Sequence, residues 1–199
     1  MNPYKKFLSK DPKLKSYLER EVFIPSKSRD ITIRLVWSIL SQQLSIKVAK
    51  VLHQRFLDLY EKKPTAQMII ETPYDKLKSI GISHQKTTYI HNVARFIVDN
   101  KVTAGKLDKM SDDEVIEFLS QIKGVGRWTV EMLMIFAMGR EDVFAVDDLG
   151  IQKEMIEIFK LHDLNKKDLR LKMMELSKRW SPYRTYVCLH LWNFSGFKN

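Results

Sequence analysis

The sequence predicts an all-α protein, on three observations. Glycine and proline number 7 and 6 in 199 residues, too few for the many turns of a sandwich or barrel. No run alternates apolar and polar residues over the length of a strand, whereas apolar residues recur at three- and four-residue spacing from Pro25 onward. Helix-starting and helix-stopping residues punctuate those runs, and together they predict roughly nine or ten helices.

In chain order, SKSRD after Pro25 leads into ITIRLVWSILSQQ, which is apolar on nearly every side and reads as a buried helix with Trp37 in the core. Ser45 is placed to cap the next helix, whose apolar face would hold Val48, Val51, Leu52, Phe56 and Leu59 opposite a basic face. Thr72, Pro73 and Asp75 predict a hydroxyl cap, a proline in the first turn and an acid near the positive end of a short helix that Gly81 stops. Ser83 precedes a helix burying Ile90, Val93, Ala94, Ile97 and Val98 and closing near Asn100. Ser111 with Glu114 is a capping box. Ser181 and Pro182 are expected to start a last helix carrying Tyr186, Leu189 and Trp192 before Gly196. With no Gly/Ser linker, low-complexity tract or repeat, residues 1–199 are expected to form a single compact domain of two helical lobes.

The 34 Lys and Arg exceed the 24 Asp and Glu by 10, which points to a polyanionic partner, a solvated basic surface being the alternative. The lone cysteine, Cys188, excludes an internal disulfide framework and a four-Cys iron–sulfur or zinc site, and the five histidines show no metal-ligand spacing. The longest apolar run, Met132 to Met138, is far short of the ~20 residues of a membrane span. The start of the chain lacks the apolar stretch of a secretory signal, so an intracellular protein is expected.

Chemistry concentrates in two places. Ile122-Lys123-Gly124-Val125-Gly126-Arg127-Trp128-Thr129-Val130 sits between two helical patterns, in a hairpin at about residues 118–138. Glycines one residue apart allow positive φ and close backbone approach, and the unpaired amides opening the next helix attract an anion, so the turn is suited to a phosphate. A plain interhelical turn is the alternative reading. The second place is Asp148, in D-V-F-A-V-D-D-L-G-I at the apparent start of another helix. A helix cap is its bland role, which Asp147 could equally fill.

Taken together, I-K-G-V-G-R-W-T, D-V-F-A-V-D-D, W-S-P-Y-R-T-Y-V-C-L-H-L-W (Trp180 to Trp192), I-L-S-Q-Q-L-S (Ile39 to Ser45) and I-G-I-S (Ile80 to Ser83) resemble the helix-hairpin-helix DNA glycosylases, and among them the 3-methyladenine DNA glycosylase II branch. The resemblance covers most of residues 30 to 197. It implies a two-lobed helical fold with the active-site cleft between the lobes, and a compact version of it, residues 1 to 29 being too short for the N-terminal β lobe of larger members. The implied activity is flipping of an alkylated purine (3-methyladenine, 7-methylguanine type) out of double-stranded DNA and hydrolysis of its N-glycosidic bond in base excision repair.

Asp148 is the catalytic residue implied by the resemblance, and Trp128, Met132, Tyr183 and Trp192 are the implied base pocket, with Trp37 a weaker candidate. Met132 departs from the tyrosine of the best-known bacterial member. Gln43 matches the wedge that fills the gap left by the flipped base, assisted by Gln42. Lys123, Gly124, Val125, Gly126, Arg127 and Thr129 would bind DNA phosphates, with Lys86 and Arg184 as further contacts. Trp128 stands where lyase-competent relatives have a nucleophilic lysine, which implies a monofunctional enzyme. No metal site, no iron–sulfur cluster and no membrane partner are implied; the hairpin is a candidate site for a monovalent cation, and a monomer is expected. The competing class is a DNA-structure-binding module with the hairpin and no chemistry.

Overall fold

The computed structural model describes residues 2–194, Ile46 by its backbone alone. Among these residues there are thirteen α-helices and no strand. They are α1 (Pro3–Leu8), α2 (Lys15–Leu18), α3 (Ile31–Ser41), α4 (Ile46–Asp58), α5 (Ala66–Glu71), α6 (Tyr74–Ser79), α7 (His84–Asp99), α8 (Ala104–Leu107), α9 (Asp112–Ser120), α10 (Arg127–Leu133), α11 (Leu149–Phe159), α12 (Lys166–Ser177) and α13 (Arg184–Phe194). A π-helical stretch, Met134–Met138, continues α10, and 3₁₀ turns occupy Pro12–Leu14 and Lys178–Trp180. The helix count exceeds the sequence reading because α1, α2, α5 and α8 span no more than six residues each, too short to show a period. The helix end expected at Gly196 lies outside the described residues.

The described residues divide into two compact units, Lys27–Met138, and residues 2–26 with 139–194. In the first, α3 packs on both α7 and α10, α5 and α6 lie on α7, and α9 lies on α10. α3 is apolar on most sides because Leu35, Val36, Ile39 and Leu40 are all fully buried, each contributing about 1.5–3 kcal/mol on leaving water. Ser45 accepts from Val48 N, Ser83 from Lys86 N, and Ser111 with Glu114 closes the expected capping box.

Four local readings are corrected. On α4 the buried stripe is Ala49, Leu52 and Phe56, whereas Val48 and Val51 stay 47% and 45% exposed. Thr72 does not cap α6: it ends α5, where its hydroxyl donates to Met68 O and accepts from Tyr60, so α6 starts without a side-chain cap. α7 closes at Asn100 as expected, but Val98 is not part of its buried face and stays 40% exposed. Pro182 follows a cis peptide bond, and α13 begins only at Arg184.

The second unit is built on α11 and α13, with α2 against α13. Its N-terminal segment is held by side chains: Tyr4 stacks on Tyr186 at 4.1 Å, the buried Trp180 donates to Asp11 at 2.9 Å, and His190 bonds Tyr17 O at 2.9 Å. Among the described residues no helix is long and apolar enough to cross a membrane.

Candidate active site

In the second unit, the extended segment 140–148 is laced to one face of α13. Thr185 Oγ1 accepts from Val143 N and donates to Arg140 O; Cys188 Sγ donates to Val143 O; Trp192 Nε1 donates to Asp148 Oδ1 at 2.8 Å. At the head of the helix, Arg184 forms a bidentate pair with Asp142 at 2.7 and 3.0 Å, and Ser181 Oγ donates to the same carboxylate. Asp142 also accepts from Arg184 N, so the start of α13 is capped from 42 positions upstream, which is why Pro182 does not open it. Burial pushes the Asp142 carboxyl up, but Arg184 and Ser181 outweigh it and hold the group below the usual carboxylate range.

Asp148 is the cap of α11: Oδ1 accepts from Ile151 N at 3.0 Å as well as from Trp192. Two donors on one oxygen fix the plane of the carboxylate. Asp147 is instead paired with Arg170 at 2.9 Å, so the two adjacent acids are distinguished by their partners.

In the first unit, the hairpin joins α9 to α10. Gly124 has φ +105°, and a Cβ there would lie 2.2 Å from the ring of Tyr89, so only glycine fits. Asn92 Nδ2 donates to Lys123 O at 3.1 Å and Gln42 Nε2 approaches Gly124 O at 3.5 Å, tying the hairpin to α7 and to the turn after α3. In that turn Gln43 is exposed with φ +58°, and Lys86 Nζ donates to Leu40 O and Gln42 O at 2.8 and 2.7 Å. Beside it a groove of about 580 Å³ is lined by Gln43, Leu44, Lys47, Val48, Val51 and Arg55 among others. Trp128 and Met132, both half-buried, lie one turn apart on α10. No group of three or more His, Cys, Asp or Glu among the described residues is arranged to hold a metal.

Residues 36–182 match the family model described as HhH-GPD superfamily base excision DNA repair protein. The chain belongs to that superfamily. Its relatives place it in the DNA-3-methyladenine glycosylase branch of this helix-hairpin-helix superfamily: the Schizosaccharomyces pombe protein named DNA-3-methyladenine glycosylase 1 is 33% identical over 164 residues, 81% of this chain and 71% of that one. A Bacillus subtilis relative, YfjP, is 32% identical over 161 residues, 77% of this chain but only 55% of YfjP, so the chain spans little more than half of that relative's length. Among solved structures, the S. pombe 3-methyladenine DNA glycosylase Mag1, in complex with abasic DNA, superposes with a TM-score of 0.86 at 28% identity, covering 98% of this chain and 97% of that one.

The first unit brings together Gln42, Gln43, the hairpin and, on α10, Trp128 and Met132; the second brings Asp148 and Trp192 together. Trp192 is only 7% exposed, and its indole N–H donates to Asp148, so it supports the carboxylate. The Tyr183 ring packs edge-on against Phe7 and Tyr186, in the aromatic cluster that holds α1. Val125 and Thr129 are buried, and the Val125 amide already donates to Ile122 O at 2.9 Å, so of these two only the backbone amide of Thr129, in the first turn of α10, is placed to meet a phosphate. Arg127 bends back onto Glu131, whose side chain is 1% exposed, at 2.8 Å.

Of the further residues expected to reach phosphates, Lys86 donates to backbone carbonyls and Arg184 pairs with Asp142. Lys123 remains exposed. Trp37 is half-buried with its indole N–H buried and unpartnered, stacked on His53 at 5.2 Å with Arg34 also at 5.2 Å from its ring.

Sequence reasoning missed Asp142, Tyr89 and Asn92. For Asp142 a signal existed: Arg184, Cys188 and Trp192 recur every four residues on α13, facing the D-V-F-A-V-D-D run. For Tyr89 and Asn92 there was none, because both act on a hairpin more than thirty residues away.

Proposed function

We propose that the chain is a monofunctional DNA glycosylase that flips alkylated purines of the 3-methyladenine and 7-methylguanine type out of double-stranded DNA and hydrolyses their N-glycosidic bond, the first step of base excision repair. The observation that carries the reading is Asp148, oriented by the amide of Ile151 and the indole of Trp192 within the segment laced to α13. Its placement suits the chemistry. Breaking the bond builds positive charge on the sugar, and a carboxylate about 4 Å away lowers that state by roughly 4 kcal/mol at an effective dielectric near 20, about a thousandfold in rate. The same carboxylate orients or deprotonates the attacking water. An N-alkylated purine carries positive charge and leaves as a neutral base, so no general acid is required.

The remaining roles follow the surfaces of the first unit. The Lys123–Gly126 turn, with its exposed lysine and glycine, takes the DNA backbone, and Lys47 and Arg55 extend the basic surface past Gln43, which fills the vacated stack. Trp128 and Met132 form one wall of the base pocket, where an aromatic face favours a cationic purine. Trp128 offers no amine for a Schiff base, which supports hydrolysis without strand cleavage. The DNA in the Mag1 complex is the partner this reading assigns here, inside the cell.

The test is base release from methylated duplex DNA by wild type and Asp148→Asn, with abasic sites revealed by later alkaline cleavage. Wild type is expected to release base and the variant to lose at least a thousandfold while still binding DNA. Strand breaks before alkali would overturn the monofunctional assignment. Binding without release by the wild type would leave a DNA-binding module.

A further inference from the structure

We propose that Lys86 is a positioning residue for strand separation: its ammonium locks the turn that presents Gln43. The inference rests on the glycosylase reading above. α3 ends abruptly. Gln42 leaves the helix with ψ 129° and Gln43 enters the left-handed region at φ +58°. A non-glycine residue in that region is held at a cost of about 1 kcal/mol or more, and such outliers persist where the surroundings over-determine them.

The over-determination here has an identifiable source. Carbonyls in the last turn of a helix have no intrahelical partner, and the Leu44 amide, which would have reached Leu40 O had the helix continued, bonds Ser41 O instead. Lys86 Nζ takes up both Leu40 O and Gln42 O, at 2.8 and 2.7 Å, one on each side of the point where the chain turns. Its own helix, α7, is anchored at the same end by Ser83. The Gln42 side chain, reaching toward Gly124 O, links the turn to the hairpin. Burial lowers the Lys86 pKa, as expected for an ammonium drawn out of water to serve carbonyls.

The function of such a lock is specific. A side chain that fills a vacated base stack must offset the few kcal/mol of unpairing and unstacking, and a pre-ordered turn does so without first losing conformational freedom. Lys86→Met keeps most of the stem and removes the donors. It should therefore matter most where a base pair must be broken.

The experiment compares single-turnover release of 7-methylguanine opposite cytosine with release of the same lesion opposite an abasic spacer, where there is no pair to break. Lys86→Met is expected to lower the paired-to-unopposed rate ratio roughly tenfold, the order of effect of a slightly misplaced group. In a Gln43→Ala background it should lower the ratio no further, because Lys86 acts through Gln43. An unchanged ratio, or an equal loss on both duplexes, would overturn the inference. Should Lys86→Met not fold, Lys86→Gln is read on the same ratio, with a smaller drop expected and the same overturning results. Absence of release by the wild type from either duplex would instead overturn the glycosylase reading, and this inference with it.

Discussion

Trp192 and Asp148 show how much one hydrogen bond can decide. A buried tryptophan usually earns its place by area, yet this indole N–H is also aimed at a carboxylate oxygen at 2.8 Å, beside the backbone amide of Ile151. Removing only the N–H separates the two contributions. Trp192→Phe is expected to slow single-turnover base release roughly tenfold through loss of orientation, while DNA affinity stays near the wild-type value. A rate equal to wild type would refute this orienting role. At this scale the sequence distinguished poorly: Asp147 and Asp148 are adjacent and identical in type, and only their partners, Arg170 for one and Trp192 for the other, tell them apart.

At the scale of elements, the decisive join is between segment 140–148 and α13. The Asp142 carboxylate serves Ser181, the Arg184 guanidinium and the Arg184 amide at once, so it is both ion-pair partner and helix cap. Asp142→Asn leaves a half-buried guanidinium without its counter-charge and is expected to destabilise the protein by about 1–3 kcal/mol, read by urea unfolding. Its effect on base release should exceed what the lost folded fraction explains, since Asp148 hangs from the same segment. Unfolding unchanged from wild type would refute this role. Capping residues were legible in the sequence wherever the cap is local, as at Ser45, Ser83 and Ser111, and illegible here because the cap arrives from 42 positions away.

For the whole molecule, acid stability follows from three histidines and one carboxylate. Burial lowers the pKa of His53, His91 and His190 below the ordinary 6.5, opposed at His53 and His190 by bonds to backbone carbonyls and reinforced at His91 by Arg95. As pH falls through 6.5 the unfolded chain takes up protons that the folded chain does not, so stability declines. Asp142 works in the same direction at lower pH: its folded value lies below 3.8, so its contribution is present above that and lost as pH falls through the folded value. Tm is therefore expected to drop between about pH 7.5 and about pH 5.5, the range in which histidines titrate, and to drop again in stronger acid. A Tm that is flat or rises over the first interval would contradict the histidine assignment.

The sequence by itself determined the helical class, the local caps, the basic balance and the ordered motifs that mark the glycosylase superfamily. These are properties of residues close along the chain, where a 3.6-residue period or a capping hydroxyl acts within one or two turns. Tertiary structure alone decided which face of α4 is buried, where the two compact units divide, that the Tyr60 hydroxyl engages Thr72, that Lys86 serves the carbonyls of the turn after α3, and that Arg184 pairs with Asp142. For the polar side chains the physical reason is the same. A charged or hydroxyl group bonds the nearest unsatisfied partner in space, and when that partner comes from a distant helix, no period or spacing in the sequence announces it.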